Sequence, residues 1–268
     1  MKTKYTIGFA VLGAMSYLQL GNLAMADEDK PTASFAVSAL SKYVSRGFEL
    51  SKDSIVLQPS ATVAYKGFSA NIWGNEDTNV YVRGAEGAGS NNWTETDLTL
   101  AYDWTLGPVG LTAGYIYYSL IGSDTQEVYG RAALHTLLTP TLTVYRDYDH
   151  FAGWYATFGV SHTVPITEKI SLNLGAQVGF LAADDASSYA KVNSPNEAYT
   201  GFHDGLLSAS LPITVNQYLT VTPVLNYSFP LTSNARDLIK VNSQEFLNRG
   251  LGGDSDFIYG GVTVSVAL

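Results

Sequence analysis

The sequence predicts an all-β fold: a transmembrane, antiparallel, up-and-down β-barrel of about twelve strands, behind a cleaved signal peptide. Three observations predict it. The chain opens on an export signal. Beyond that signal, apolar and polar residues alternate over segments long enough to cross a bilayer as strands. The connections between those segments are alternately short and long.

Lys2 and Lys4 form a short basic start, Ile7 to Leu20 an apolar stretch, and Ala24-Met25-Ala26 a small-x-small cleavage pattern. This places residues 1–26 as the signal peptide and 27–268 as the barrel domain. The competing reading, a membrane anchor, fails because Gly8, Gly13, Ser16 and Gln19 interrupt a stretch already short of the ~20 apolar residues a spanning helix needs. Loss of the two lysines makes the exported chain two units more negative than the full-length value of −9. Such a balance argues against nucleic acid as a partner, since phosphates are neutralised by a basic surface. The chain has no cysteine, which removes disulfide scaffolds and thiolate sites. After the signal no apolar run is long enough for a helix span, and a chain without one can still sit in a membrane if its strands close and satisfy every backbone N–H and C=O.

The strands are expected near 33–46, 54–66, 68–78, 94–106, 108–119, 125–137, 141–149, 152–164, 168–182, 198–211, 217–229 and 256–268. Their period is two. Leu98, Leu100, Tyr102 and Trp104 oppose Glu95, Asp97, Thr99 and Asp103. Leu172, Leu174 and Val178 oppose Asn173 and Gln177. Val221 and Leu225 oppose Thr222 and Asn226, and Val262, Val264 and Val266 oppose Thr263 and Ser265. Such lengths exceed the usual 5–6 residues of soluble strands and match a tilted crossing of ~9–11. Lys66-Gly67, Leu106-Gly107-Pro108, Leu138-Thr139-Pro140, Pro165-Ile166-Thr167 and Pro212 to Gln217 make short turns. The stretches 79–93, 183–197 and 230–255 make long loops. Short periplasmic turns, long external loops and an even strand number are the habit of outer-membrane barrels.

A soluble β-sandwich or lipocalin-like barrel would turn its apolar face inward onto a core. Here the opposite face is rich in Ser, Thr, Asn, Gln and Gly, which suits a wet lumen. Aromatic residues gather at strand ends (Tyr43, Phe48, Tyr65, Phe68, Trp104, Tyr115, Tyr117, Tyr118, Trp154, Phe158, Tyr227 and Phe229), as interfacial girdles do. The chain ends on Leu268, where outer-membrane strands usually end on an aromatic residue.

Tyr43-Val44-Ser45-Arg46-Gly47-Phe48 resembles the opening motif of a bacterial family of outer-membrane porins, the TorF or Gcw_chp family. The resemblance continues through Gln58-Pro59, Tyr65-x-Gly67-Phe68, Trp73-Gly74-Asn75, Thr96-Asp97-Leu98 after Glu95, Gly114-Tyr115-Ile116-Tyr117-Tyr118 and Glu127-Val128-Tyr129-Gly130. It covers about the first half of the exported chain. It implies a barrel with channel activity and carries over no catalytic or ligand residue.

Strand parity nominates lumen residues: Lys42, Arg46, Glu95, Asp97, Asp103, Glu127, Arg131, His135, Asp147 and Asp204. Inward placement is the physical default, because Arg or Lys on the lipid face costs ~2–4 kcal/mol at mid-bilayer. The group reads either as an ion-pair network bracing the barrel, with Arg46 and Arg131 among Glu95, Asp97 and Glu127, or as a constriction that selects ions.

Catalytic residues are not expected. Ser161 and His162 are neighbours facing opposite sides, and His203 and Asp204 are expected to alternate likewise. His150 lies among Asp147 and Asp149, a weak cation site at most, so neither a resident metal nor a cofactor is predicted. The expected partners are outer-membrane lipids and small solutes or ions, with the oligomeric state left open. The sequence thus reads as an outer-membrane, porin-like channel for small polar solutes or ions with a mild cation preference. The alternatives are a plugged structural or adhesin-type barrel with functional loops, and an outer-membrane lipid hydrolase.

Overall fold

The computed structural model describes residues 30–51, 54–78, 92–121, 123–247 and 253–268, with backbone only for 243–247. The predicted signal peptide 1–26, nearly all of the predicted loop 79–93, and 248–252 lie outside these residues. Twelve long strands succeed one another: β1 (Thr32–Leu40), β2 (Val56–Tyr65), β3 (Phe68–Asp77), β4 (Asn92–Leu106), β5 (Val109–Leu120), β6 (Thr125–Leu134), β7 (Thr141–Asp147), β8 (Gly153–Pro165), β9 (Ser171–Ala183), β10 (Thr200–Ser210), β11 (Leu219–Pro230) and β12 (Phe257–Ala267).

Each strand pairs antiparallel with the next, and β12 returns to β1 from Ser34↔Ala267 to Leu40↔Gly261. The sheet therefore closes, which satisfies the ladder groups that an open edge would expose to lipid. The turn Lys66-Gly67 shows why the short connections work. Both residues have positive φ, 50° and 81°, the type I′ geometry whose twist matches that of the strands it joins.

The outer face is the expected apolar one. Leu98, Leu100, Tyr102 and Trp104 on β4, Leu174 and Val178 on β9, Leu225 on β11, and Val262 and Val264 on β12 are all exposed on the closed barrel. Leu172 and Val221 share their parity but are half-buried. At the end carrying the short turns, Phe68 packs on Tyr102 with ring centroids 4.5 Å apart, and Tyr102 on Trp104 at 5.9 Å, part of one girdle. Three aromatics expected in girdles turn inward instead: Tyr43, Phe48 and Tyr118 are buried.

The departures from the expected strands concentrate at the end carrying the long loops. β1 stops at Leu40 and not at 46, because the chain leaves the wall there and enters the barrel. One departure lies at the opposite end: β6 stops at Leu134, so His135 lies in the short turn beyond it. The region 230–255, read as a loop, contains helix α1 (Ser233–Leu247). Thr232 caps it: its Oγ1 accepts from the Ala235 N–H at 3.1 Å and donates to the Phe202 carbonyl at 3.2 Å. Ala235, Leu238 and Ile239, spaced for one helical face, are buried.

β10 carries one irregularity. Val178 pairs with Gly205 and Phe180 with Phe202, so the single residue Gly179 stands opposite both His203 and Asp204. This is a β-bulge, and it re-aims a side chain. The expected alternation of His203 and Asp204 is thereby overturned, and both are buried inside.

Candidate functional site

The site begins with the stretch that leaves the wall after β1. Val44–Ser45 and Phe48–Glu49 pair with each other and with no barrel strand, forming a small hairpin. Its tip is Arg46-Gly47, at φ 48° and 81°, again a type I′ pair. The Leu50 N–H bonds the Tyr43 carbonyl at 2.8 Å, and the Tyr43 N–H bonds Ser51 Oγ at 2.8 Å, which closes the base. Gly47 is required at the tip: a Cβ there would stand 2.9 Å from Asp204 Cβ and 3.1 Å from Ile239 Cδ1.

The hairpin reaches across the lumen. Arg46 donates from Nη1 to Glu127 Oε1 at 2.9 Å and from Nη2 to Oε2 at 2.7 Å, a fork-on-fork pair to β6. Its guanidinium lies 4.9 Å from the ring centroid of Tyr145 on β7 and 4.5 Å from that of Tyr155 on β8. Tyr118 on β5 donates to Glu127 Oε2 at 2.9 Å, holding the carboxylate for Arg46. Tyr43 donates to Glu95 Oε2 on β4 at 2.9 Å, and Lys42 donates to Glu49 at 2.6 Å. On the far side Phe48 packs 4.9 Å from His203 and stacks 5.8 Å from Tyr189 of the 184–199 loop. Tyr155 in turn donates to Asp204 Oδ1 at 2.9 Å.

Around this hairpin the loop half of the lumen is an apolar core, with Leu40, Tyr43, Val44, Phe48, Val56, Ile116, Tyr118, Leu181, Tyr199, Leu238 and Ile239 in one cluster. A wet lumen was the expectation. In this half the inward positions meet apolar side chains of the hairpin and α1 instead. Toward the turn end, a cavity of about 110 Å³ opens between the hairpin and the wall.

The ten nominated residues divide into two groups. Glu95, Asp97, Glu127, Asp147 and Asp204 are buried inside the barrel. Lys42 and Arg46 join them from the hairpin and not from β1, where strand parity had put them. Asp147 is held by Thr125 Oγ1 at 2.7 Å and by the Asp149 N–H at 2.9 Å. Asp103, Arg131 and His135 lie apart, at the turn end. Asp103 is exposed and accepts from Thr112 at 2.5 Å, and Thr112 stands between Asp103 and Arg131 in register. Arg131 is therefore not among Glu95, Asp97 and Glu127. His135 is exposed in its turn.

Residues that parity did not nominate complete the site: Tyr118, Tyr145, Tyr155 and His203. The first three sit on inward positions of β5, β7 and β8, but a tyrosine at a strand end reads equally as a girdle residue. His203 was hidden by the bulge. Among the described residues no group of three or more His, Cys, Asp or Glu side chains could hold a metal ion. His150 packs edge-on against Phe151 at 4.6 Å while Asp147 is turned inward. His162 Nδ1 lies 2.8 Å from the Leu137 carbonyl, a bond to its own turn.

A closed twelve-strand barrel with an apolar outside and a charged, partly filled inside defines the class: a transmembrane antiparallel β-barrel of the architecture found in bacterial outer membranes. Two solved structures share the architecture. The KdgM porin superposes with a TM-score of 0.51 at 10% identity, covering 87% of this chain and 98% of that one. The NanC porin does so with a TM-score of 0.51 at 9% identity, over 87% and 98% of the two chains. At such identities the likeness is one of fold. No family model matches the sequence, and the search of curated proteins found no match.

Proposed function

We propose that this barrel is a channel for small polar solutes or ions whose passage is closed by the 42–51 hairpin, and that it prefers cations mildly once open. The observation that carries the reading is that one arginine holds the hairpin tip across the lumen. Arg46 engages β6, β7 and β8 at once, while Tyr43 bonds Glu95 and Phe48 packs on His203, so loss of the Arg46 contacts would loosen the tip first. The cation preference rests on the six nominated carboxylates (Glu95, Asp97, Asp103, Glu127, Asp147 and Asp204), joined by Glu49 of the hairpin, against Lys42, Arg46 and Arg131, since a charge excess in a confined pore concentrates counter-ions. The resemblance to the TorF porin family supports the same reading, and membership of that family is part of the proposal.

The test is conductance in a planar bilayer, with reversal potentials under a salt gradient, for the wild type and for Arg46→Gln. The expected result is low or flickering current from the wild type and a larger, mildly cation-selective current from the variant. A second reading has its own support in the apolar core of the loop half: a permanently plugged barrel displaying its loops as an adhesin or structural protein. A folded Arg46→Gln protein that carries no current would favour it over the channel.

A further inference from the structure

The cavity beneath the hairpin has two unlike sides. On one, every charge is committed: Arg46 to Glu127, Lys42 to Glu49, and Asp204 to Tyr155. On the other, five strands present neutral hydrogen-bonding groups: Gln58 from β2, Gln177 from β9, Ser208 from β10, Asn226 and Ser228 from β11, and Tyr259 from β12. Gln58 gives its Nε2 to Asn75 Oδ1 at 3.1 Å. The other five side chains make no hydrogen bond to another described residue. Asn226 and Ser228 are largely buried as residues, but their polar atoms are not sealed and line the cavity.

We infer that this wall is a binding site for a small neutral polyhydroxylated solute, from the size of a polyol to that of a monosaccharide. The inference deepens the channel reading by naming what the path would hold. Amides and hydroxyls supply donors and acceptors side by side, which is what a ring of hydroxyl groups needs. An anion would find both nearby cations already bonded to carboxylates. A cation would find Glu127 and Asp204 already bonded to Arg46 and Tyr155. A solute without charge displaces neither pair. The volume, about 110 Å³, has room for several waters and is small beside drug-sized pockets of ~300–1,000 Å³.

Saturation-transfer NMR on the full chain folded in detergent tests this, with glucose and sorbitol as neutral probes and glucuronate as the charged counterpart of glucose. Transfer to glucose and sorbitol, with markedly less to glucuronate, is expected from the wild-type protein. Gln177→Leu combined with Asn226→Leu removes two neutral hydrogen-bonding groups and should weaken glucose binding about tenfold, with the barrel's heat-resistant gel migration retained. Equal or stronger transfer to glucuronate, or no transfer to either neutral probe, overturns the proposal on the wild type alone. So does wild-type glucose binding in the folded double variant. The channel reading fails separately: glucose binding without any current from folded Arg46→Gln would uphold the site and remove the pore.

Discussion

The two sides of the lumen are built from the same kind of strand and do different work. The wall from β4 to β8 contributes Glu95, Tyr118, Glu127, Tyr145 and Tyr155, and these close on the hairpin in direct bonds and ring contacts. The wall from β9 through β12 to β2 contributes one buried charge, Asp204, and otherwise neutral groups: Gln58, Gln177, Ser208, Asn226, Ser228 and Tyr259. The contrast teaches that inward-facing and polar are not one condition. A buried charge needs its partner in place and so becomes structure, whereas a neutral amide or hydroxyl can stay open for something that arrives later.

The contrast is broken most directly at Arg46. Arg46→Gln leaves Glu127 buried without its cation, and removing one partner of a buried pair typically costs ~3–5 kcal/mol. That cost should fall on hairpin docking, seen as new protease cleavage within 42–51 and higher conductance while the barrel stays folded. A barrel that unfolds with the hairpin would mean that the charged wall braces the whole protein. Next in size is the boundary with lipid. Leu174→Arg should destabilise the barrel by ~2–4 kcal/mol near mid-bilayer, whereas Asn173→Arg, facing the lumen, should cost far less. Chemical unfolding in lipid vesicles reads both, and equal costs would mean that β9 is turned the other way.

Glu95→Gln with Asp97→Asn sharpens the comparison on the charged side. In an Arg46→Gln background it should lower cation preference, read as a smaller reversal potential at low salt and a vanishing difference at high salt, where screening dominates. An unchanged reversal potential would place the ion path along the neutral wall. The smallest effect lies outside the barrel. Arg146 bonds Asp184 at 2.7 and 2.6 Å, and this guanidinium holds the Asp184 carboxyl below its ordinary value. A depressed carboxyl stabilises above its unfolded pKa of about 4, and that contribution is lost as pH falls through the lower folded value. The pair is exposed, so Asp184→Asn should change loop protection by less than ~1 kcal/mol at neutral pH and by less still as the pH is lowered below the unfolded value. Limited proteolysis of 184–199 at neutral and at acid pH measures it.

The wall was legible because each strand divides lipid from lumen, and that division writes a period of two into Leu98 to Trp104, Leu172 to Val178 and Val262 to Val266. What fills the wall was harder to read. The hairpin carries Tyr43, Val44, Phe48 and Leu50, a pattern that extends β1 as naturally as it forms a separate element, and only the positive φ at Arg46 and Gly47 distinguishes them. The bulge at His203-Asp204 is one extra residue, which no local composition announces. Helix α1 did leave a signal, a capping Thr232 with Ala235, Leu238 and Ile239 after it at helical spacing. It lay inside a stretch whose length between two strands suggested an external loop. Site carboxylates were found by parity where they sit on strands. Lys42 and Arg46 were placed in the lumen for the wrong reason, and their partners among the tyrosines depend on contacts far apart in sequence.

The order of the chain gives the hairpin a place in time as well as in space. Its own bonds are local, Val44 with Glu49 and Tyr43 with Leu50 and Ser51, so it can form as soon as it is made. Its anchorage is not local: Glu127, Tyr145, Tyr155, His203 and Ile239 belong to segments made much later. Contacts of such long separation are slow to form, because the chain between them must be ordered first. The last strand, β12, must also return to β1 before the ring exists. Closure of the wall and anchorage of the hairpin therefore both join the start of the chain to parts far along it: β12 meets β1, and Glu127, Tyr145 and Tyr155 receive Arg46.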